Sequence, residues 1–327
     1  GPLASPGGQN TQTRSFNGGA QTKQGHPVAT YQTAFETVYK DPDVIQVDFL
    51  IAPGMAGTSD QKTLVEALEV IARVDRKDCV VVASPERSAI VGQQNANTIT
   101  TAVKTFAQSV ASSSYLILDG NYLKVYDKYN DKYTFIPAAS STAGIMAATD
   151  QVSAPWFSPA GNRRGQYFGV SALGFSPTKS QRDTLYKAGV NPIVNFPGQG
   201  VLLFGDKTKL ARPSAFDRIN VRRLFLVVER AIKGAAQNVM FEFNDEFSQT
   251  QFKNIVDPFL RDIQGRRGII DYRVISDSTV NTPEVIDQNK FRASIFIKPA
   301  RSINVIELTF VATRTGVEFD EIVGQIA

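Results

Sequence analysis

Residues 44–54 read VIQVDFLIAPG, a short apolar run that stops at Ala52-Pro53-Gly54 and so predicts a buried strand. Asp60 then caps a predicted helix over residues 61–74, where Leu64, Leu68 and Ile71 recur at helical spacing. CVVVA (79–83), halted by Ser84-Pro85, is a second strand. Residues 95–112 suit another helix through Ile99, Val103, Phe106 and Val110, and YLIL (115–118) is a third strand. Strand and helix alternate at the spacing of a parallel, helix-covered sheet. LKVY (123–126) and YTFI (133–136), joined by a polar DKYNDK, predict a hairpin at its margin. The expected class is α/β: an α+β sandwich in which a mixed β-sheet is covered by helices, with extended terminal arms.

Composition agrees with a globular chain. The 327 residues are 42% hydrophobic and 20% charged, enough apolar material for a sizeable core. One cysteine, Cys79, excludes an intrachain disulfide framework and Cys-rich metal sites. One histidine, His26 in a polar leader, leaves no partner for a histidine metal cluster and no fixed base for a Ser–His–Asp or Cys–His unit. The net charge of +4, from 35 basic and 31 acidic residues, permits an acidic partner without demanding one. No stretch approaches the roughly 18–20 apolar residues of a membrane span, and no secretory signal is visible. Residues 1–5 (GPLAS) look like a protease-cleaved expression scar, and residues 1–26, rich in Gly, Gln, Asn, Thr and Ser, are expected to be a flexible leader.

Residues 152–175 are built on Pro and Gly and predict a loop. Ser176-Pro177 opens a helix that Gly189 closes. Residues 191–195 and 201–204 predict strands around Pro197-Gly198-Gln199-Gly200. Ser214 is expected to cap a long helix ending at Gly234. On it Val221, Leu224, Phe225, Val227, Val228, Ala231 and Ile232 form a broad apolar side. Arg222, Arg223, Glu229, Arg230 and Lys233, with Leu226 among them, form a narrow basic arc that should meet solvent or a partner. A further helix covers residues 245–263, where Pro258 should kink or divide it. Residues 269–275, 291–297 and 303–311 are strand-like. After Gly316 a last alternating segment, Val317, Glu318, Phe319, Asp320, Glu321, Ile322 and Val323, has no hairpin partner beyond it. An unpaired strand of that kind is a template for pairing with another chain.

The chemical motifs are weak. GVLLFGDKT (200–208) resembles a phosphate-binding loop, but that motif needs Lys directly after the second Gly, and Asp206 intrudes. A strand ending in a Gly turn fits better. Arg163-Arg164, Arg222-Arg223 and QGRRG (264–268) could contact phosphates, yet stacking aromatics are absent, which leaves solvated charge or interface ion pairs. Asp245 with Glu246, and Asp320 with Glu321, are paired carboxylates; the first suits a helix start and the second lies on a terminal segment. Trp156 is read as a core anchor for a long loop rather than a ligand-stacking residue, and Cys79 as a small buried hydrophobe. No catalytic, cofactor-binding or metal-binding residue is assigned, no cofactor is expected, and the chain is not expected to be an enzyme.

Several segments resemble the tail sheath proteins of contractile-tailed bacteriophages. They are APWFSPAG (154–161) followed by Arg164-Gly165, QRDTLY (181–186), GVNPI (189–193), SAFDRINVRRL (214–224), VMFE (239–242) and the FDE ending (319–321). Their order and spacing are the family's. The resemblance is strong over residues 150–327 and looser over 40–150, and it suggests the large myovirus type. Contractile bacteriocins and type VI secretion sheaths are related machines.

The resemblance implies a helical homopolymer of six-fold rings around a tail tube, contacts with baseplate and tail terminator proteins, and contraction that drives the tube through the host envelope without nucleotide. It implies a virion protein assembled in the host cytoplasm, with neither nucleic acid nor membrane engaged directly. Terminal arms would add strands to neighbouring subunits, here residues 317–323, turning on a hinge at Thr313, Arg314, Thr315 and Gly316. Arg222, Arg223, Leu226, Arg230, Lys233, Arg266 and Arg267 are the candidates for tube or subunit contact. The expected organisation is leader 1–26, sheath domain portion 27–150, and C-terminal sheath domain 151–327 with an arm over 317–327. Residues 1–26 do not look like the family's apolar N-terminal arm, and there is little room for its outer domains, so a C-terminal fragment is expected. The alternatives are a nucleotide-binding α/β enzyme, separable by a nucleotide-dependent melting shift, and a monomeric binding module, separable by size across concentration.

Overall fold

The computed structural model of the protein describes residues 27–304 together with residues 3–4 and 10–11. Strands β1 (Leu3–Ala4) and β2 (Asn10–Thr11) pair antiparallel. The expectations for the rest of the leader, for strand residues 305–311, for the hinge 313–316 and for the arm 317–327 lie outside the described residues.

The predicted parallel sheet is present. Strands β3 (Phe49–Ile51), β4 (Val80–Ala83), β5 (Leu116–Asp119) and β9 (Val190–Asn191) lie in that spatial order, all parallel. All four residues of β4 are buried, as a strand covered on both faces requires. Its alternation sorts them: Val81 and Ala83 join one core with Leu64 and Leu68 of α2 (Thr58–Val70) and Val103 and Phe106 of α3 (Ala96–Ser109). α1 (Val28–Val38) packs Tyr31 and Phe35 on the same core. Val80 and Val82 face the opposite core, with Ala143 and Met146 of α4 (Ala139–Val152) and Ile219 and Leu226 of α6 (Ile219–Gln237). Each such fully buried aliphatic side chain contributes about 1.5–3 kcal/mol.

At the margin, β6 (Tyr122–Asp127) pairs antiparallel with β7 (Lys132–Pro137), the expected hairpin, and with β8 (Val170–Leu173). After α5 (Lys179–Lys187), β10 (Ile193–Phe196) and β11 (Gly200–Leu203) form a second hairpin. Its turn places Gly198 and Gly200 at φ of +77° and +78°, where a side chain is strained. The C-terminal unit layers α6 and α7 (Glu246–Gly265) on a two-stranded sheet, β12 (Ile269–Ile275) with β13 (Ser294–Pro299), bridged by the short α8 (Pro283–Asp287).

The differences from the sequence reading have physical causes. Only residues 49–51 of the first run are strand; the Ile45 carbonyl upstream is held at 2.7 Å by the buried Arg76 guanidinium, which also binds the carbonyls of Tyr39 and Asp41. Asp60 sits inside the first turn of α2, whose N-cap is Gly57. A π-helical turn, Ile71–Arg76, extends that helix to Lys77 at φ +63°. α4 and β8 were not expected at all. α5 starts from Thr178, which forms a capping box with Gln181, rather than from Ser176-Pro177. Ser214 caps a 3-10 turn, Ala215–Asp217, and α6 runs through Gly234 to Gln237. α7 passes Pro258 undivided.

Candidate functional site

Among the described residues the C-terminal sheet is one of three two-stranded sheets, and the one that lies toward the terminal arm. A lone pair of strands is marginal in water unless a helix layer covers one face. α7 supplies that layer: Asp245 caps it by accepting from the Ser248 amide at 2.9 Å, which holds the Asp245 carboxyl below its usual range. Phe252, Val256, Leu260 and Ile263 then pack on Ile269 and Val274 of β12, with Tyr272, Ile295 and Ile297 against the same cluster. Cross-strand neighbours are Asp271 with Lys298, Tyr272 with Ile297 and Val274 with Ile295, so opposite charges and apolar pairs match across the ladder. Each strand has one edge without a strand partner among the described residues. Beside β12 runs a groove of about 500 Å³, lined by Lys253 and Asp257 of α7, residues 271–275 of β12, Asp277 and Thr279. Backbone donors and acceptors in such a groove are what an added strand pairs with.

Trp156 fixes this unit to the rest. It is buried, donates from Nε1 to the Arg266 carbonyl at 3.1 Å, and carries the Arg266 guanidinium 4.9 Å above its ring. The core-anchor reading holds. Gly268 lies against it so closely that a Cβ would come within 3.0 Å of the indole.

The basic arc of α6 does not meet solvent in its first half. Arg222 is 7% and Arg223 5% exposed, and Leu226 is buried in the core behind the parallel sheet. Arg222 donates to Ser114 at 2.6 Å and lies 4.3 and 4.1 Å from the Tyr115 and Phe216 rings; burial lowers its pKa. Arg223 pairs with Asp150 at 2.5 Å and donates to the Met146 carbonyl. The reason is that α6 is covered on two sides: Ile219 and Leu226 serve one core, Leu224 and Val228 the other. Arg222, Arg223 and Leu226 are therefore internal to the subunit, a correction to their expected contact role. Arg230 is tied to Asp48 and the Asp78 carbonyl, both at 2.8 Å. Lys233 and Arg267 are exposed, and Arg266 is partly engaged with Asp262 at 3.8 Å. Replacing Arg223 with Ala strands Asp150 and should cost about 1–3 kcal/mol, read as a lower urea midpoint; an unchanged midpoint would mean the pair is idle.

The remaining motifs resolve structurally. Residues 200–203 are strand, and Asp206 is buried with its carboxylate accepting from neighbouring side chains, so no phosphate loop forms. Cys79 is buried and its thiol is pushed up to about 12, chiefly by burial. Asp320 and Glu321 lie outside the described residues. One surface feature escaped the sequence reading. Met240, Phe241, Phe243 and Phe247, in and just after the α6–α7 connection, are 58%, 101%, 85% and 76% exposed. The available signal was VMFEFNDEF, apolar residues crowded into a loop between two helices. Exposed patches of this kind mark interaction surfaces.

Comparison with known proteins gives a consistent result. Residues 30–209 match the family model of the phage tail sheath protein central domain, and residues 211–313 that of the phage tail sheath C-terminal domain. The chain is 46% identical over 299 residues to the tail sheath protein of Vibrio phage KVP40, covering 87% of this chain and 44% of that protein. It is 41% identical over 295 residues to that of Enterobacteria phage T4, covering 88% and 45%. The chain thus spans less than half the length of these relatives. Among solved structures it resembles the sheath complex of the extracellular contractile injection system PVC in its contracted state, with TM-score 0.71 and 21% identity, covering 86% of this chain and 75% of that one. It also resembles the contracted helical sheath of the anti-feeding prophage, with TM-score 0.67 and 22% identity, covering 83% and 73%. At these identities the likeness is one of fold.

Proposed function

The chain belongs to the phage tail sheath protein family, and from that premise we propose that it is part of a structural, non-enzymatic subunit of a contractile tail sheath. The protein polymerises with itself into stacked six-fold rings around a tail tube, meets baseplate and tail terminator proteins at the ends, and shortens to drive the tube through the host envelope. It acts in the virion after assembly in the host cytoplasm, and no step engages nucleic acid or membrane directly.

The observation that carries this reading is the two-stranded β12–β13 sheet, whose outer edges have no strand partner among the described residues, with the groove beside α7. Residues 317–323 alternate in the manner of a strand and supply an occupant: the arm of one subunit pairs along the sheet of the next. Main-chain hydrogen bonds give affinity, and alternate side chains set register. Residues 313–316 act as the hinge, so the paired strand stays put while rings rotate. The extended lattice is the higher state and is released at the baseplate. The exposed aromatic loop around Phe241 and Phe243 adds subunit contact, and Lys233, Arg266 and Arg267 are the surface cations left for an acidic tube wall. A phage tail is favoured over a bacteriocin or type VI sheath because the phage proteins are 41–46% identical, against 21–22% for the injection-system structures.

Electron microscopy of the full-length protein tests the proposal. Hollow striated cylinders are the expected result. A protein that stays monomeric at every concentration, with or without tube protein, would falsify it.

A further inference from the structure

Asp206, the residue that spoils the phosphate-loop pattern, sits at the centre of an unusual convergence. It is 1% exposed. Its Oδ1 accepts from Arg218 Nη1 at 3.0 Å, from Asn304 Nδ2 at 2.8 Å and from the Tyr186 hydroxyl at 3.4 Å. Its Oδ2 accepts from Ser302 Oγ at 2.6 Å and Ser158 Oγ at 3.2 Å. Arg218 also donates to the Tyr186 hydroxyl, whose pKa is pushed up to about 12, first by burial and then by the Asp206 charge. Lys207 closes the cluster by donating to the Tyr186 carbonyl and lying 4.1 Å from its ring.

The donors come from far apart in the chain. Tyr186 lies near the end of α5, Arg218 directly before α6, and Ser158 in the loop that Trp156 anchors. Ser302 and Asn304 follow β13 on the path toward the terminal arm. A buried carboxylate is costly unless its lone pairs are filled, and two of these five side-chain donors are supplied by that path. We propose that Asp206 is a positioning residue for strand exchange: it clasps residues 302–304 to the body of the subunit and so fixes the point from which the arm departs. Tension on the arm then enters α5, α6 and the Trp156 loop together, and turning is confined to residues beyond 304. This rests on the strand-exchange reading above.

The test uses the double variant Ser302→Ala with Asn304→Ala, which removes the arm-side donors and leaves the Arg218, Tyr186 and Ser158 contacts in place. Arg301 is exposed and adjoins the clasp, so trypsin cleavage after it reports clasp opening; cleavage at Lys298 is blocked by Pro299. A free peptide of residues 296–307 sets the intrinsic rate. The unassembled wild-type protein should be cut after Arg301 far more slowly than the peptide. The double variant should be cut faster by about tenfold or more, the factor for losing a charge-assisted hydrogen bond, while the protein still melts in a single cooperative transition. Assembly under conditions where wild type polymerises should then be slowed or yield short, irregular cylinders. Wild-type cleavage at the peptide's rate, or no acceleration in the variant, overturns the clasp. An opened clasp with normal cylinders overturns its positioning role. Wild type that never polymerises is a different failure, that of the sheath reading itself.

Discussion

Removing residues 317–327 should leave a folded monomer that no longer polymerises. The clusters behind both faces of the parallel sheet, beside the β6 sheet and around Trp156 take their buried members from residues 50–274, with partly buried residues from 28 to 297 packed on them. The described residues that build this core all precede the deletion, so the melting temperature should stay close to that of the intact chain. What is lost is the donor of a strand. A ladder of roughly six main-chain hydrogen bonds at about 1 kcal/mol each is worth about 6 kcal/mol per subunit contact, or about four powers of ten in association. Sedimentation across concentration and electron microscopy measure it directly. Truncated protein that still yields cylinders of normal length would mean that the β12–β13 edges are filled by something else, and strand exchange through this arm would be abandoned.

What the sequence disclosed, and what it hid, follows from how each element is stabilised. The strand CVVVA was legible because a two-faced parallel strand is continuously apolar, and its β-branched residues, its shortness and the stop at Ser84-Pro85 argue against a helix. α4 was hidden because its sequence, ASSTAGIMAATDQV, contains few large apolar residues; Ala139, Ala143 and Met146 are its contribution to the core against Val80, Val82 and Ile117. The basic arc of α6 misled for the converse reason. Helical periodicity locates an apolar face, but it does not reveal a second layer covering the polar one, and Arg222 and Arg223 are engaged by Ser114, the Met146 carbonyl, Asp150 and aromatic faces contributed by distant segments. Asp206 was visible only as an anomaly in a motif. Its meaning depends on Ser302 and Asn304, which no local pattern connects to it. The receiving sheet was predicted as strand; that it has two strands among the described residues, and hence edges without a partner there, is a property of topology.

The stability of the protein should fall as pH rises from about 4 to about 7, and Asp119 is the cause. This carboxyl ends β5, at the carboxyl edge of a parallel sheet where α/β proteins often hold a ligand. Here the place is filled from within. Ser84 donates to Asp119 at 2.7 Å, Thr142 of α4 at 3.2 Å, and Tyr167 closes over Thr142 at 2.8 Å. The group is fully buried, and burial raises its pKa from 3.8 to about 7 despite the opposing hydrogen bonds from Ser84, the Asn121 amide and Thr142. Tyr122 and Tyr167, the titratable neighbours coupled to it, are raised above their ordinary values and stay neutral throughout. The folded state therefore holds a proton that the unfolded chain has released across that window. Unfolding becomes easier with each increment of pH until about 7 and is level above it. A shift of about three units sets a ceiling of about 4 kcal/mol. The exposed carboxyls Asp127, Asp245, Asp277 and Glu284 are all lowered, so their contributions vanish only in more acidic solution and do not mask the slope. Burial raises Glu229 as well, which adds a smaller trend of the same sign. Asp119→Asn cannot ionise, so the difference in urea-unfolding free energy between variant and wild type should grow in the variant's favour from pH 4 to pH 7. A difference that is flat with pH would mean that the carboxyl is ionised throughout, held by Ser84 and Thr142 more strongly than burial opposes it.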